Sequence, residues 1–118
     1  MHEMKLYKES FDRLINGEKT REYRLYDEKR KLIKVGDTIK FIRLPDKDKV
    51  IYADVSKIEI FDNWYDCYNK HFEEDFSKRY KSVQEVVDDT YTGGYYTKEE
   101  SDKYGCICIT LSNVRENI

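Results

Sequence analysis

The stretch Gly17-Glu18-Lys19-Thr20-Arg21-Glu22-Tyr23-Arg24 sets a carboxylate between cations of two different kinds. Lys19 offers a compact point charge, and Arg24 a planar fork suited to bidentate recognition of a phosphate or a base edge. Glu22 can hold those cations in place or accept a hydrogen bond from an amino group of a base. On an extended strand, Glu22 and Arg24 are two apart and project from one face, and Lys19, just before it, can reach the same mouth. The chemistry this permits is capture of a small anionic or nucleotide-like ligand. Spacing alone equally describes a ladder of ion pairs on a strand surface. A carboxylate can also serve as nucleophile or general base, so Lys19 with Glu22 is compatible with hydrolysis.

The charge distribution points the same way. The formal net charge is −2 and the pI about 5.8, whereas a protein that tracks a long phosphate backbone usually carries a strongly basic domain. Residues 19–34 hold seven basic side chains (Lys19, Arg21, Arg24, Lys29, Arg30, Lys31, Lys34) against three acids. Residues 59–75 hold six acids and one Lys, and residues 82–102 are also acidic. One positive region on an acidic body suits a compact ligand better than a duplex.

Aromatic residues supply a second kind of contact. The chain has eleven Tyr, five Phe and one Trp, and stacking on exposed rings is a common way to hold nucleosides and single-stranded RNA. Tyr23, Tyr26, Tyr95, Tyr96 and Tyr104 are the rings available, of which Tyr26 and Tyr104 are the candidates singled out. The histidines read less informatively: His2 as a frayed terminus, His71 as part of a solvated helix face. Three cysteines, an odd number, speak against a disulfide framework and for a reducing, cytoplasmic setting. Cys106 and Cys108 share a strand face and read as small buried side chains. No second Cys or His pair completes a zinc site, so neither metal nor other cofactor is expected.

The elements that must position these groups follow from periodicity. Met4–Leu6 begins a strand, and Lys8–Asn16 reads as a helix with Phe11, Leu14 and Ile15 on one stripe. Gly17 then stands where a left-handed residue ends that helix. Arg21–Tyr26 alternates as a half-buried strand, with Tyr23 and Leu25 opposite Glu22 and Arg24. Val35-Gly36-Asp37 is a turn; Thr38–Leu44 is a strand with Ile39 and Phe41 inward; Pro45–Asp48 turns the chain back. Val50–Phe61 is a long strand whose apolar phase moves from Ala53 and Val55 to Ile58 and Ile60, suggesting a bulge near Ser56 and Lys57.

Residues 63–76 read as one helix with Trp64, Tyr68 and Phe72 aligned. Ser82 caps a further helix bearing Val83, Val86 and Val87. Thr90–Tyr96 reads as a loop, and Thr97 caps a helix through Tyr104 that Gly105 ends. Cys106–Leu111 is the last strand, with Ile107, Ile109 and Leu111 on its core face. At 118 residues the chain is one domain's worth, residues 1–118, and buries roughly two-thirds of its unfolded surface. No apolar run approaches the ~20 residues that span a bilayer, and Met1–Leu6 lacks the pattern of a secretory leader.

The motif Gly-x-Lys-x-x-Glu-x-Arg, after an amphipathic helix and entering a strand, resembles the signature of ASCH domains. The likeness continues through Asp27-Glu28-Lys29-Arg30 and Lys34-Val35-Gly36-Asp37. It resumes in Tyr96-Thr97-Lys98-Glu99-Glu100 and Lys103-Tyr104-Gly105, with residues 61–95 the least distinctive. This resemblance implies an α+β fold: a small PUA-like β-barrel of five to six strands with short flanking helices. It also implies a cleft lined by Lys19, Glu22 and Arg24, with Arg30, Tyr26 and Tyr104 as further ligand contacts. The partner implied is RNA or a nucleotide-like small molecule rather than a membrane. One branch of ASCH-like proteins deacetylates acetylated cytidine with a Lys, a Thr three residues later and a Glu from the later helical region. Lys19 matches that Lys, but Glu22 stands where the Thr would be. Glu73, Glu74 or Asp75 would have to replace the Glu, and Thr20 is one residue past Lys19. The alternative function is accordingly a small amidohydrolase or nuclease on a modified nucleoside, with Lys19 and Glu22 as its catalytic residues.

Overall fold

The computed structural model describes residues 1–117. In chain order the elements are β1 (His2–Tyr7), α1 (Lys8–Ile15), β2 (Arg21–Leu25), a single 3₁₀ turn (Arg30–Leu32), β3 (Thr38–Leu44) and β4 (Val50–Phe61). There follow α2 (Trp64–Lys70), α3 (Phe72–Asp75), α4 (Val83–Thr92), α5 (Lys98–Tyr104) and β5 (Cys106–Arg115). The five strands form one sheet in the order β1-β3-β4-β5-β2. β1 runs parallel to β3 with Met4 opposite Phe41, and β3 runs antiparallel to β4 with Ile39 opposite Ala53.

The chain divides into two compact units. The first takes Met1–Glu22, Ile33–Ile58 and the segment from Ile109 onward. Its buried side chains obey strand and helix periods: Met4 and Leu6 on β1, Ile39 and Phe41 on β3, Ile51, Ala53 and Val55 on β4, Phe11 and Leu14 on α1. The apolar stripe of α1 packs on β1 and β3. Ile15, expected on that stripe, is exposed at the last position of the helix. His2 is not frayed: its Nε2 lies 2.8 Å from Asp37 Oδ2.

The second unit takes Tyr23–Leu32 and Glu59–Cys108. Leu25, Trp64, Cys67, Tyr68, Phe76, Val83, Val86, Val87, Cys106 and Cys108 form its core. Aromatic rings dominate it: Trp64 stacks between Tyr68 at 5.2 Å and Tyr96 at 5.4 Å between centroids, a geometry that adds about 0.5–1.5 kcal/mol per pair beyond area burial. The buried indole N–H of Trp64 donates to Ser101 Oγ at 2.8 Å. Caps fall where the sequence puts them. Ser82 Oγ accepts from the Glu85 amide, and Thr97 with Glu100 makes a full capping box.

Four segments depart from the sequence expectation. The helix over 63–76 is broken at His71 into α2 and α3. α4 continues to Thr92, through the first residues of the expected loop, because the Thr90 hydroxyl bonds the Val86 carbonyl and the Tyr68 hydroxyl inside the core. β5 reaches Arg115 and is buried on both faces from Cys106 to Ile109, so parity alone could not assign its core face. On β4 the burial alternation does pause at Ser56 and Lys57, both exposed. It resumes with Phe61 packed on the core and Ile60 exposed, the reverse of the expected phase.

Candidate functional site

Lys19 and Glu22 are positioned by the way α1 ends. Asn16 closes the helix through a hydrogen bond to the Asp12 carbonyl, and Gly17 follows at φ +87°. The reversal is fixed by the Asn16 side chain, which bonds both the amide and the carboxylate of Glu18. The Lys19 amide then donates to the Arg13 carbonyl at 3.0 Å. The chain enters β2 with the Thr20 carbonyl accepting from the Leu111 amide at 2.8 Å.

From that platform the Lys19 ammonium donates to Glu22 Oε1 at 3.4 Å, with side chains only 14% and 6% exposed. Glu22, expected to share a strand face with Arg24, is the one charged residue among the buried side chains described. A surface ion ladder does not describe this pair. Thr20 is exposed and serves the strand through its backbone.

The other predicted contacts lie in the second unit. Arg24 is half-buried, two residues beyond Glu22 on β2. Tyr26 is half-buried too; its amide donates to the Gly105 carbonyl at 3.0 Å, and Lys31 Nζ stands 5.6 Å from its ring centre. Tyr104, next to Gly105, borders the aromatic core with Lys103 Nζ 5.1 Å from its ring centre. Arg30 is committed to its own turn: its backbone amide bonds Asp27 Oδ1 at 3.1 Å and Nη1 bonds Oδ2 at 2.7 Å. Tyr23 and Tyr96, which the sequence offered as stacking platforms, are structural. Tyr23 packs on Tyr68 and Phe76 and donates its hydroxyl to Asp75 Oδ2. Burial, with Cys108 and Asp75 beside it, drives the Tyr23 phenol far above its ordinary pKa and keeps it protonated.

One cluster has no counterpart in the sequence reading. Donor atoms of Glu59, His71 and Cys108 all lie within 4.8 Å of one another. His71 Nε2 is 2.6 Å from Glu59 Oε1 and Nδ1 is 3.3 Å from Glu74 Oε2, with the His71 and Glu59 side chains 12% and 14% exposed. His71 therefore does not sit on a solvated helix face: the break between α2 and α3 turns it inward. The available signal was parity, since Glu59 shares the inward phase of Phe61 on β4. Bonding to Cys106 and burial hold the Cys67 thiol well above its usual range, as an inert apolar group.

An α+β fold built on a five-stranded sheet with several short helices, carrying a charged pair where β2 begins, is that of the PUA-like class. The chain belongs to the ASCH domain family, whose model matches residues 4–115. Among solved structures it is similar to hypothetical protein PH0355, with 31% identity, 93% of this chain and 95% of that one covered, and a TM-score of 0.77. It is also similar to protein PF0455 from Pyrococcus furiosus, at 29% identity, 94% coverage of both chains and a TM-score of 0.70. A mutant of ZmASCH from Zymomonas mobilis shares the fold, at 19% identity, 94% of this chain and 66% of that one covered, and a TM-score of 0.65. No curated protein matches. No helix among the described residues is long and apolar enough to cross a membrane.

Proposed function

We propose that this ASCH domain is a cytoplasmic binding module for RNA or a nucleotide-like molecule, held at the charged group that opens β2. The observation that carries the reading is the Lys19–Glu22 pair, 3.4 Å apart and nearly withdrawn from water. Exposed ion pairs are common and worth little, whereas a buried one costs several kcal/mol of desolvation per ion. Such a pair is poorly explained by stability. It is well suited to a ligand that offers both an anionic oxygen for Lys19 and a donor for Glu22, as a nucleotide does. Arg24 follows two residues later on the same strand as a bidentate fork.

The test is to incubate the purified protein with short single-stranded RNAs and acylated cytidines, following binding and product together. Saturable binding without product, lost in Lys19→Met, supports the module. Product that disappears in Lys19→Met and Glu22→Gln would instead make the pair an amidohydrolase centre. Absence of both binding and product would overturn the assignment of this site.

A further inference from the structure

We propose that Glu59, His71 and Cys108 form a site for one divalent transition-metal ion, Zn²⁺ by the chemistry of its donors. A thiolate, an imidazole and a carboxylate are the ligand types that zinc takes, usually in tetrahedral geometry. Three protein ligands leave the fourth position for water or an exogenous group. The soft sulfur and the nitrogen select a zinc-like ion over Mg²⁺ or Ca²⁺, which take all-oxygen shells.

The three donors come from separate rigid elements. Glu59 is on β4, His71 at the junction of α2 and α3, and Cys108 on β5. They lie far apart in sequence, and their convergence to within 4.8 Å is a product of the fold. Tetrahedral zinc with ordinary bond lengths needs donor–donor separations of roughly 3.3–3.6 Å. The His71–Glu59 contact of 2.6 Å must therefore open slightly. That adjustment is within side-chain rotation, since His71 and Glu59 reach the surface while Cys108 is buried.

The surroundings supply what a metal-bound histidine requires. With Nε2 turned to the ion, Nδ1–H donates to Glu74 Oε2, now 3.3 Å away, which fixes the tautomer and the ring plane. The Tyr23 hydroxyl, which donates to Asp75, lies beside Cys108. On binding, the Cys108 thiol proton and the proton shared by His71 and Glu59 pass to solvent as the metal–sulfur, metal–nitrogen and metal–oxygen bonds form.

The full chain is titrated with Co²⁺ and with Zn²⁺, each alone, following absorbance and heat. One ion per chain and a sulfur-to-cobalt charge-transfer band in the near ultraviolet are expected, with Zn²⁺ displacing Co²⁺. Cys108→Ser removes the band. His71→Gln, at a position near the surface, weakens binding at least ~10-fold while the metal-free protein melts close to wild type. Cys106→Ser retains the band. Three outcomes would overturn the proposal: no saturable binding, binding without the sulfur band, or affinity unchanged in His71→Gln.

Discussion

The Lys19 ammonium lies 3.4 Å from the Glu22 carboxylate, with the two side chains 14% and 6% exposed. Removing either charge has two consequences that must be separated. Lys19→Met takes the Lys19 ammonium away from a buried carboxylate and lowers unfolding free energy by about 1–3 kcal/mol. The double variant Lys19→Met with Glu22→Gln removes both charges and recovers most of that loss. RNA or nucleotide binding stays absent in both. Urea melts paired with a binding assay check this; binding that returns with stability in the double variant would show the pair to be structural only.

Gly17 takes φ +87°, and a Cβ there would meet nothing within 4 Å. The whole cost of substitution is therefore conformational. Gly17→Val should lose about 1–2 kcal/mol in urea unfolding, and Gly17→Asn much less, because Asn enters the left-handed region more readily. Equal losses in the two variants would show that crowding, not backbone conformation, sets the requirement.

Tyr23 packs against the aromatic core of the second unit, whereas Tyr26, close by in sequence, is the ring that the resemblance offers for stacking a base. Tyr26→Ala should weaken single-stranded RNA binding by about 1–3 kcal/mol, the worth of one stacked base, with a small change in melting temperature. Tyr23→Ala should cost about 3–5 kcal/mol of stability, because its ring fills the core against Tyr68 and Phe76. Parallel melts and fluorescence-polarisation titrations separate the two.

Asp54 accepts from Thr38 and Asn113 and pairs with Arg115, and these bonds hold its carboxyl below the usual carboxylate range. A depressed folded-state pKa contributes stability that is present above the unfolded value near 4. That contribution is lost as the pH falls through the lower, folded value. Asp37 behaves alike through its bond to His2. Asp54→Asn should therefore be less stable than wild type at neutral pH, with the difference shrinking below about pH 4. Urea midpoints from pH 2 to 7 measure it; a gap that is constant across the range would remove the carboxyl from the explanation.

The elements were legible wherever one residue's type had one structural meaning. Gly17 after an amphipathic run, Ser82 and Thr97 three residues before an acid, and the alternation over Thr38–Leu44 each fixed a boundary that the structure repeats. Legibility failed where burial is two-sided or a turn is tertiary. Cys106 to Ile109 carry no alternation to read, since both faces are covered. At the break, His71 meets Glu59 and Glu74, contacts that no local pattern announces. At the site, the motif identified Lys19 and Glu22 as neighbours. Their withdrawal from water was hidden, because a charged residue at alternating spacing is ordinarily a solvated one.

β2 lies at the end of the strand order with β5 as its neighbour, and the Thr20 carbonyl receives its bond from Leu111. During synthesis the residues of the charged pair leave the ribosome well before the strand that gives them a fixed edge. Loop closure over that separation is entropically costly and slow. The nascent chain therefore carries Lys19 and Glu22 without that edge until β5 has emerged. On the proposed function, a ribosome stalled before Cys106 would present a chain unable to bind its ligand.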